Sequence, residues 1–162
     1  MKSTKLYIFD LDDTLYDTSF RLDEVTPNFE TMKLFPDALE ILKKKEPEKI
    51  LVTHGERKRQ EKKIKTLGIR GYFKEIYICA DGTEKLELFK KIVKEYGVEN
   101  PKNCVIIGDR VDTEIRFGNM LGCVTVYLPR GKYSKLSPVD AIEIPTYTIH
   151  SFAELESAIG RG

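Results

Sequence analysis

Short runs of continuous apolar residues alternate along the chain with longer stretches in which apolar positions recur every three or four residues. The short runs, at 6–11, 50–53, 76–79, 105–107, 124–128 and 147–149, are of strand length and rich in β-branched side chains. Between them, Ala38, Leu39, Ile41 and Leu42 predict a helix over 36–46, and Ile64 and Leu67 a second helix ending at Gly68. Leu86, Phe89, Ile92, Val93 and Tyr96 predict a third ending at Gly97, and Ile115, Phe117, Met120 and Leu121 a fourth ending at Gly122. The three terminal glycines are expected to close their helices in the left-handed conformation. A sheet with one wet face would alternate apolar with polar residues, so uninterrupted apolar strands imply a sheet covered on both faces. The expected fold is α/β, a Rossmann-like three-layer sandwich around a central, mainly parallel sheet.

The 162 residues contain no internal repeat or linker-like tract, which predicts a single domain over 1–162. Lys plus Arg number 27 against 26 Asp plus Glu, a net charge of +1, which argues against attraction of the whole molecule to nucleic acid or an anionic membrane. Cys79, Cys104 and Cys123 each lie alone within apolar segments, as reduced core thiols do. With no secretory signal pattern and no apolar run near the roughly 18–20 residues of a membrane span, the expected location is cytoplasmic.

In open parallel sheets, ligands bind beyond the carboxyl ends of the strands. Those positions hold Asp10, Asp12, Asp13 and Thr14 after the first strand, Thr53, His54 and Gly55 after the second, and Gly108, Asp109, Asp112 and Glu114 after the fourth. Carboxylates converging in one crevice repel one another unless a hard cation neutralises them. Mg²⁺ suits a few carboxylates, waters and a substrate phosphate.

Ile8-Phe9-Asp10-Leu11-Asp12-Asp13-Thr14-Leu15 resembles the first motif of the haloacid dehalogenase-like superfamily, an apolar strand followed by DxDx[TV]. Residues 50–55, ending in Thr53-His54-Gly55, resemble the second motif. Lys85, about two dozen positions before Asp109, resembles the third, and residues 105–115, with Gly108-Asp109 and a later acid, the fourth. The resemblance implies a Mg²⁺-dependent phosphatase. Asp10 would be the nucleophile that forms an aspartyl phosphate, Asp12 the acid and base, and Thr53 and Lys85 the holders of phosphoryl oxygens. It implies metal binding by the Asp10 carboxylate, the Asp12 backbone carbonyl and the Asp109 carboxylate. Glu114 would act through water, with Asp112 as the alternative. A phosphotransferase or mutase of the same superfamily, or a non-catalytic phospho-acceptor or scaffold, is the rival expectation. A receiver-type switch is disfavoured because Asp81, after the third strand, stands isolated.

His54 is a candidate phosphate contact and equally an ordinary hydrogen-bonded histidine, which is also the expectation for His150. Asp13 is expected to serve the turn, and Lys90 and Lys91 to lie on a solvated face. The basic run 57–65 is expected to form a solvated helix in which Glu61 pairs with Lys65. Relatives usually insert a cap domain between motifs. Here, only residues 16–35 remain between Asp10 and the helix at 36–46, room for a flap but not a helical cap. An open crevice of this kind would admit a small or macromolecular phosphorylated substrate, nucleic acid among them only as substrate. Alternatively, a second subunit of a homo-oligomer would cover it.

Overall fold

A computed structural model describes residues 5–97 and 99–160. The first strand, β1 (Leu6–Phe9), is buried along its whole length, because it pairs on both sides. The others are β2 (Glu48–His54), β3 (Glu75–Cys79), β4 (Cys104–Gly108), β5 (Val124–Tyr127) and β6 (Tyr147–Thr148). All neighbours run parallel, in the order β3-β2-β1-β4-β5-β6. The order reverses between β1 and β4, and this is where the carboxyl-end crevice opens.

Alternating side chains of the central strands feed two cores. Tyr7, Phe9, Leu51 and Ile107 pack with α1 (Pro36–Lys43), α2 (Arg57–Leu67) and α5 (Leu155–Gly160) on one face. Leu6, Ile8, Val52 and Ile106 pack with α3 (Gly82–Tyr96) and α4 (Arg116–Met120) on the other. The expected three layers are therefore present. Among the described residues, no helix is long and apolar enough to cross a membrane.

Several boundaries differ from the pattern. The first strand stops at Phe9 because the chain turns at once into the acidic loop. The first helix ends at Lys43, with Lys44 extended; Pro47 disfavours helical backbone at the residue before it. Gly68 (φ 66°) and Gly122 (φ 75°) are left-handed as expected, but Gly97 (φ −100°) is not; its N–H bonds instead to the Val93 carbonyl. The fourth helix opens as a π turn, Val111–Ile115, before α4. The short α5 was not predicted, since six residues with Leu155 and Ile159 inward give too little periodicity. Residues 16–35 carry only turns and single bridges, Tyr16 with Asp12 and Leu34, and Arg21 with Pro27.

One half-buried clamp ties this loop region to the end of the chain. Arg130 donates to both Asp37 oxygens at 3.0 Å and to the Thr14 carbonyl, and stacks 3.8 Å from the centre of the Phe35 ring. Asp37 also accepts from Ser151 Oγ and the Phe152 amide.

Phe9 is fully buried and meets Tyr7, Phe73 and Phe152 edge-on. Phe9→Ala is expected to destabilise the fold by about 3–5 kcal/mol in urea unfolding. A loss below 1 kcal/mol would contradict this packing.

Candidate active site

Asp10 follows β1 directly, its amide donating to the Ile107 carbonyl of β4 at 3.1 Å. Asp109 follows β4 directly, so adjacent strands set two acids side by side. The π turn brings in the third, Glu114. Gly108 makes this possible, since a Cβ there would lie 2.4 Å from Glu114 Cγ. Oxygens of Asp10, Asp109 and Glu114 all fall within 4.8 Å of one another, and all three residues are buried.

A single ammonium stands among them. Lys85, on the first turn of α3 and 3% exposed, donates to Asp10 Oδ1 at 2.9 Å and to Glu114 Oε1 at 2.5 Å. Burial alone would lower its affinity for the proton, but Asp10 and Glu114 outweigh burial and hold it above the ordinary lysine range. Burial, with Glu114 and Asp12, raises the Asp10 carboxyl against the lowering influence of Lys85. Burial raises Asp109 more strongly, reinforced by Asp10 and Glu114. Three carboxylates facing one ammonium leave an oxygen-rich, under-neutralised pocket, a donor set that fits a hard divalent cation. The Asp10 and Asp109 carboxylates and the Asp12 carbonyl are the candidate ligands. Glu114, held by Lys85 and by Thr113 Oγ1 at 2.9 Å, stands beside them. Asp112 is not in the cluster; it is half-buried and ion-paired to Arg110 at 2.7 Å.

Asp12 is gripped from α2. Lys63 Nζ donates to its Oδ1 at 2.7 Å and Gln60 Nε2 to its Oδ2 at 3.1 Å. Gln60 also donates to Thr53 Oγ1 at 2.7 Å, which leaves the Thr53 hydroxyl proton available to another acceptor. The expectation of a wholly solvated basic helix is thus corrected. Gln60 and Lys63 are buried, because positions 60, 63, 64 and 67 share the inward stripe of α2. That stripe was the available signal, masked by the surrounding charge. Glu61 pairs with Arg57 at 3.8 Å rather than with Lys65.

The remaining candidates are placed plainly. His54 is exposed at the cavity rim, its Nε2 2.8 Å from the Ala80 carbonyl. Asp13 serves the turn at φ 57°, accepting from the Thr18 amide and hydroxyl at 3.0 and 2.8 Å. Asp81 caps α3 through the Glu84 amide. Lys90 and Lys91 are exposed, and the three cysteines are buried free thiols. His150 is exposed. Asp10, Asp12, Lys85 and Asp109 open onto one cavity of about 340 Å³, whose outer walls come from α2, the flap and Tyr133.

A sequence profile of the haloacid dehalogenase-like hydrolases matches residues 21–122, and the chain belongs to that family. It is 36% identical over 107 residues to the glyceraldehyde 3-phosphate phosphatase of Methanopyrus kandleri, covering 64% of this chain and 46% of that protein. It is 27% identical over 120 residues to the human N-acylneuraminate-9-phosphatase, covering 72% and 47%. The chain thus spans about half the length of the curated relatives it matches. In fold it resembles the magnesium-bound hydrolase YfnB of Bacillus subtilis, with a TM-score of 0.74, 17% identity, and 98% and 99% of the two chains covered. The 2-haloacid dehalogenase of Pseudomonas syringae gives 0.70 at 15%, with 98% and 99% covered.

Because Asp10 and Asp109 bind protons more tightly folded than unfolded, their contribution to stability is present in acid and is lost as pH rises above the ordinary carboxylate range. Without divalent ions the melting temperature is expected to fall as pH climbs from about 4. Added Mg²⁺ should raise it increasingly toward neutral pH. A Mg²⁺ effect that is absent or independent of pH would contradict the cluster.

Proposed function

We propose that this chain is a Mg²⁺-dependent phosphatase that hydrolyses a phosphate monoester through a phosphoaspartate at Asp10. The observation that carries the reading is the buried cluster of Asp10, Asp109 and Glu114 around Lys85 at the floor of a cavity, with Asp12 two residues from the nucleophile. Named phosphatases among its relatives support the same class.

In the first half of the cycle an Asp10 oxygen bonds to phosphorus as the ester oxygen departs, taking a proton from Asp12. In the second, Asp12 accepts a proton from water, whose oxygen attacks phosphorus and releases phosphate and free Asp10. Lys85 and the Thr53 hydroxyl hold equatorial oxygens as charge spreads over them. His54, at the rim, is the candidate for a further phosphate contact. Asp10, Asp109 and the Asp12 carbonyl, with Glu114 beside them, would hold a divalent cation, which would supply the positive charge that lets an anionic ester approach an anionic nucleophile. Residues 16–35 form the near wall of the cavity in place of a cap domain, leaving it open to a small phosphorylated molecule.

Asp10→Asn is expected to lower phosphate release from p-nitrophenyl phosphate with Mg²⁺ by at least about a thousandfold. Wild-type turnover by the variant would remove Asp10 from the mechanism, and transfer to an added alcohol without net release would favour a phosphotransferase.

Lys63 is a positioning residue, acting through Asp12. An alkoxide needs the proton of Asp12 far more than a nitrophenolate does. Lys63→Met is therefore expected to lower kcat/KM for alkyl phosphates about tenfold or more, and for p-nitrophenyl phosphate much less. Equal losses on both esters would show that Lys63 only supports the fold.

A further inference from the structure

We propose that the leaving group of the substrate carries a second anion, a carboxylate or another phosphate, held between Arg59 and Arg21; the proposal rests on the phosphatase reading above. Asp12 must touch the departing oxygen to protonate it, and Asp12 is fixed against α2 by Lys63 and Gln60. The leaving group therefore extends along α2 and the facing flap. Arg59 precedes Gln60 on that cavity side of α2, and Arg21 stands on the flap; both are half-buried and line the same cavity as the acid cluster.

Their bonding shows guanidiniums oriented by backbone carbonyls and free of direct ion pairs among the described residues. Arg21 Nη1 donates to the Glu24 carbonyl and Arg59 Nη1 to the Val25 carbonyl at 3.4 Å, so both are pinned to neighbouring backbone groups of the flap. Among the described residues, neither makes a direct ion pair; Asp23 acts on Arg21 and Glu56 on Arg59 at longer range, and Glu24 lines the same lip. Lys132, also on the cavity lip, is exposed and lies over the Tyr133 ring, and the remaining cations there are paired. Lys63 is matched by Asp12, Lys85 by Asp10 and Glu114, and Arg110 by Asp112. Two guanidiniums without a direct ion pair in a concave, partly desolvated wall bring positive potential to one end of the site, and each retains N–H groups suited to an oxyanion. A neutral sugar or alkyl leaving group would leave that potential unused.

The test uses the full chain with Mg²⁺ and a ladder of short alkyl phosphates. Each is compared with its ω-carboxylate and its ω-phosphate counterpart of the same length, and p-nitrophenyl phosphate serves as the reference ester. At the matching length, kcat/KM for one anionic series should exceed that of the uncharged ester by at least about tenfold, the worth of a charge-assisted hydrogen bond. The better series identifies the anion as carboxylate or phosphate. In Arg59→Gln and in Arg21→Gln that ratio should fall about tenfold, and Arg59→Lys should recover part of it. Melting curves of the variants show whether they are folded. Phosphate release with no anionic preference at any length, or a preference that survives in both glutamine variants, overturns this proposal alone. No release from any ester, p-nitrophenyl phosphate included, overturns the phosphatase reading and this proposal with it.

Discussion

Everything at the carboxyl edge of the sheet depends on how three buried carboxylates share one ammonium. Lys85 reaches from the α3 face to Asp10 and Glu114, and removing it would leave uncompensated charge where water cannot screen it. Such an arrangement is weak evidence for stability, because desolvating the ions costs nearly as much as their attraction returns. It is better evidence for a site built to hold more positive charge than the protein itself provides. The backbone enforces this: β1 and β4 are neighbours at the point where strand order reverses, so Asp10 and Asp109 cannot avoid one another.

A second layer of control comes from α2, whose inward stripe does two jobs. Ile64 packs into the core beneath β1 and β2, while Gln60 and Lys63, on the same side, hold Thr53 and Asp12. Hydrogen bonds to Thr53 Oγ1 and to both Asp12 oxygens fix those side chains more tightly than packing alone. The helix also turns Arg59 toward the cavity, so one surface element sets both the position of Asp12 and the charge of the wall beside it.

Much of this was legible in the chain because parallel strands buried on both faces must be continuously apolar, and the polar residues ending them stand out. Asp10, Asp12, Thr53 and Asp109 were visible in that way, and Lys85 through its spacing to Asp109. Lys63 was not, because one buried lysine among six other basic or acidic residues in 57–65 carries no compositional mark. Whether Asp112 or Glu114 joins the cluster depends on a π turn, which adds a residue to the turn and follows no simple periodicity. The pairing of Arg130 with Asp37 joins residues far apart in sequence, and pattern along one segment cannot reveal it.

The proposed phosphatase cycle requires a covalent step, in which a carboxylate oxygen of residue 10 becomes an acyl phosphate. Borohydride reduces an acyl phosphate, converting the aspartate to homoserine. Protein quenched with borohydride during steady turnover should therefore show homoserine at position 10 in its peptide map, and none when either substrate or Mg²⁺ is withheld. Homoserine at another aspartate, or an unmodified Asp10 in protein that is releasing phosphate, would contradict the account.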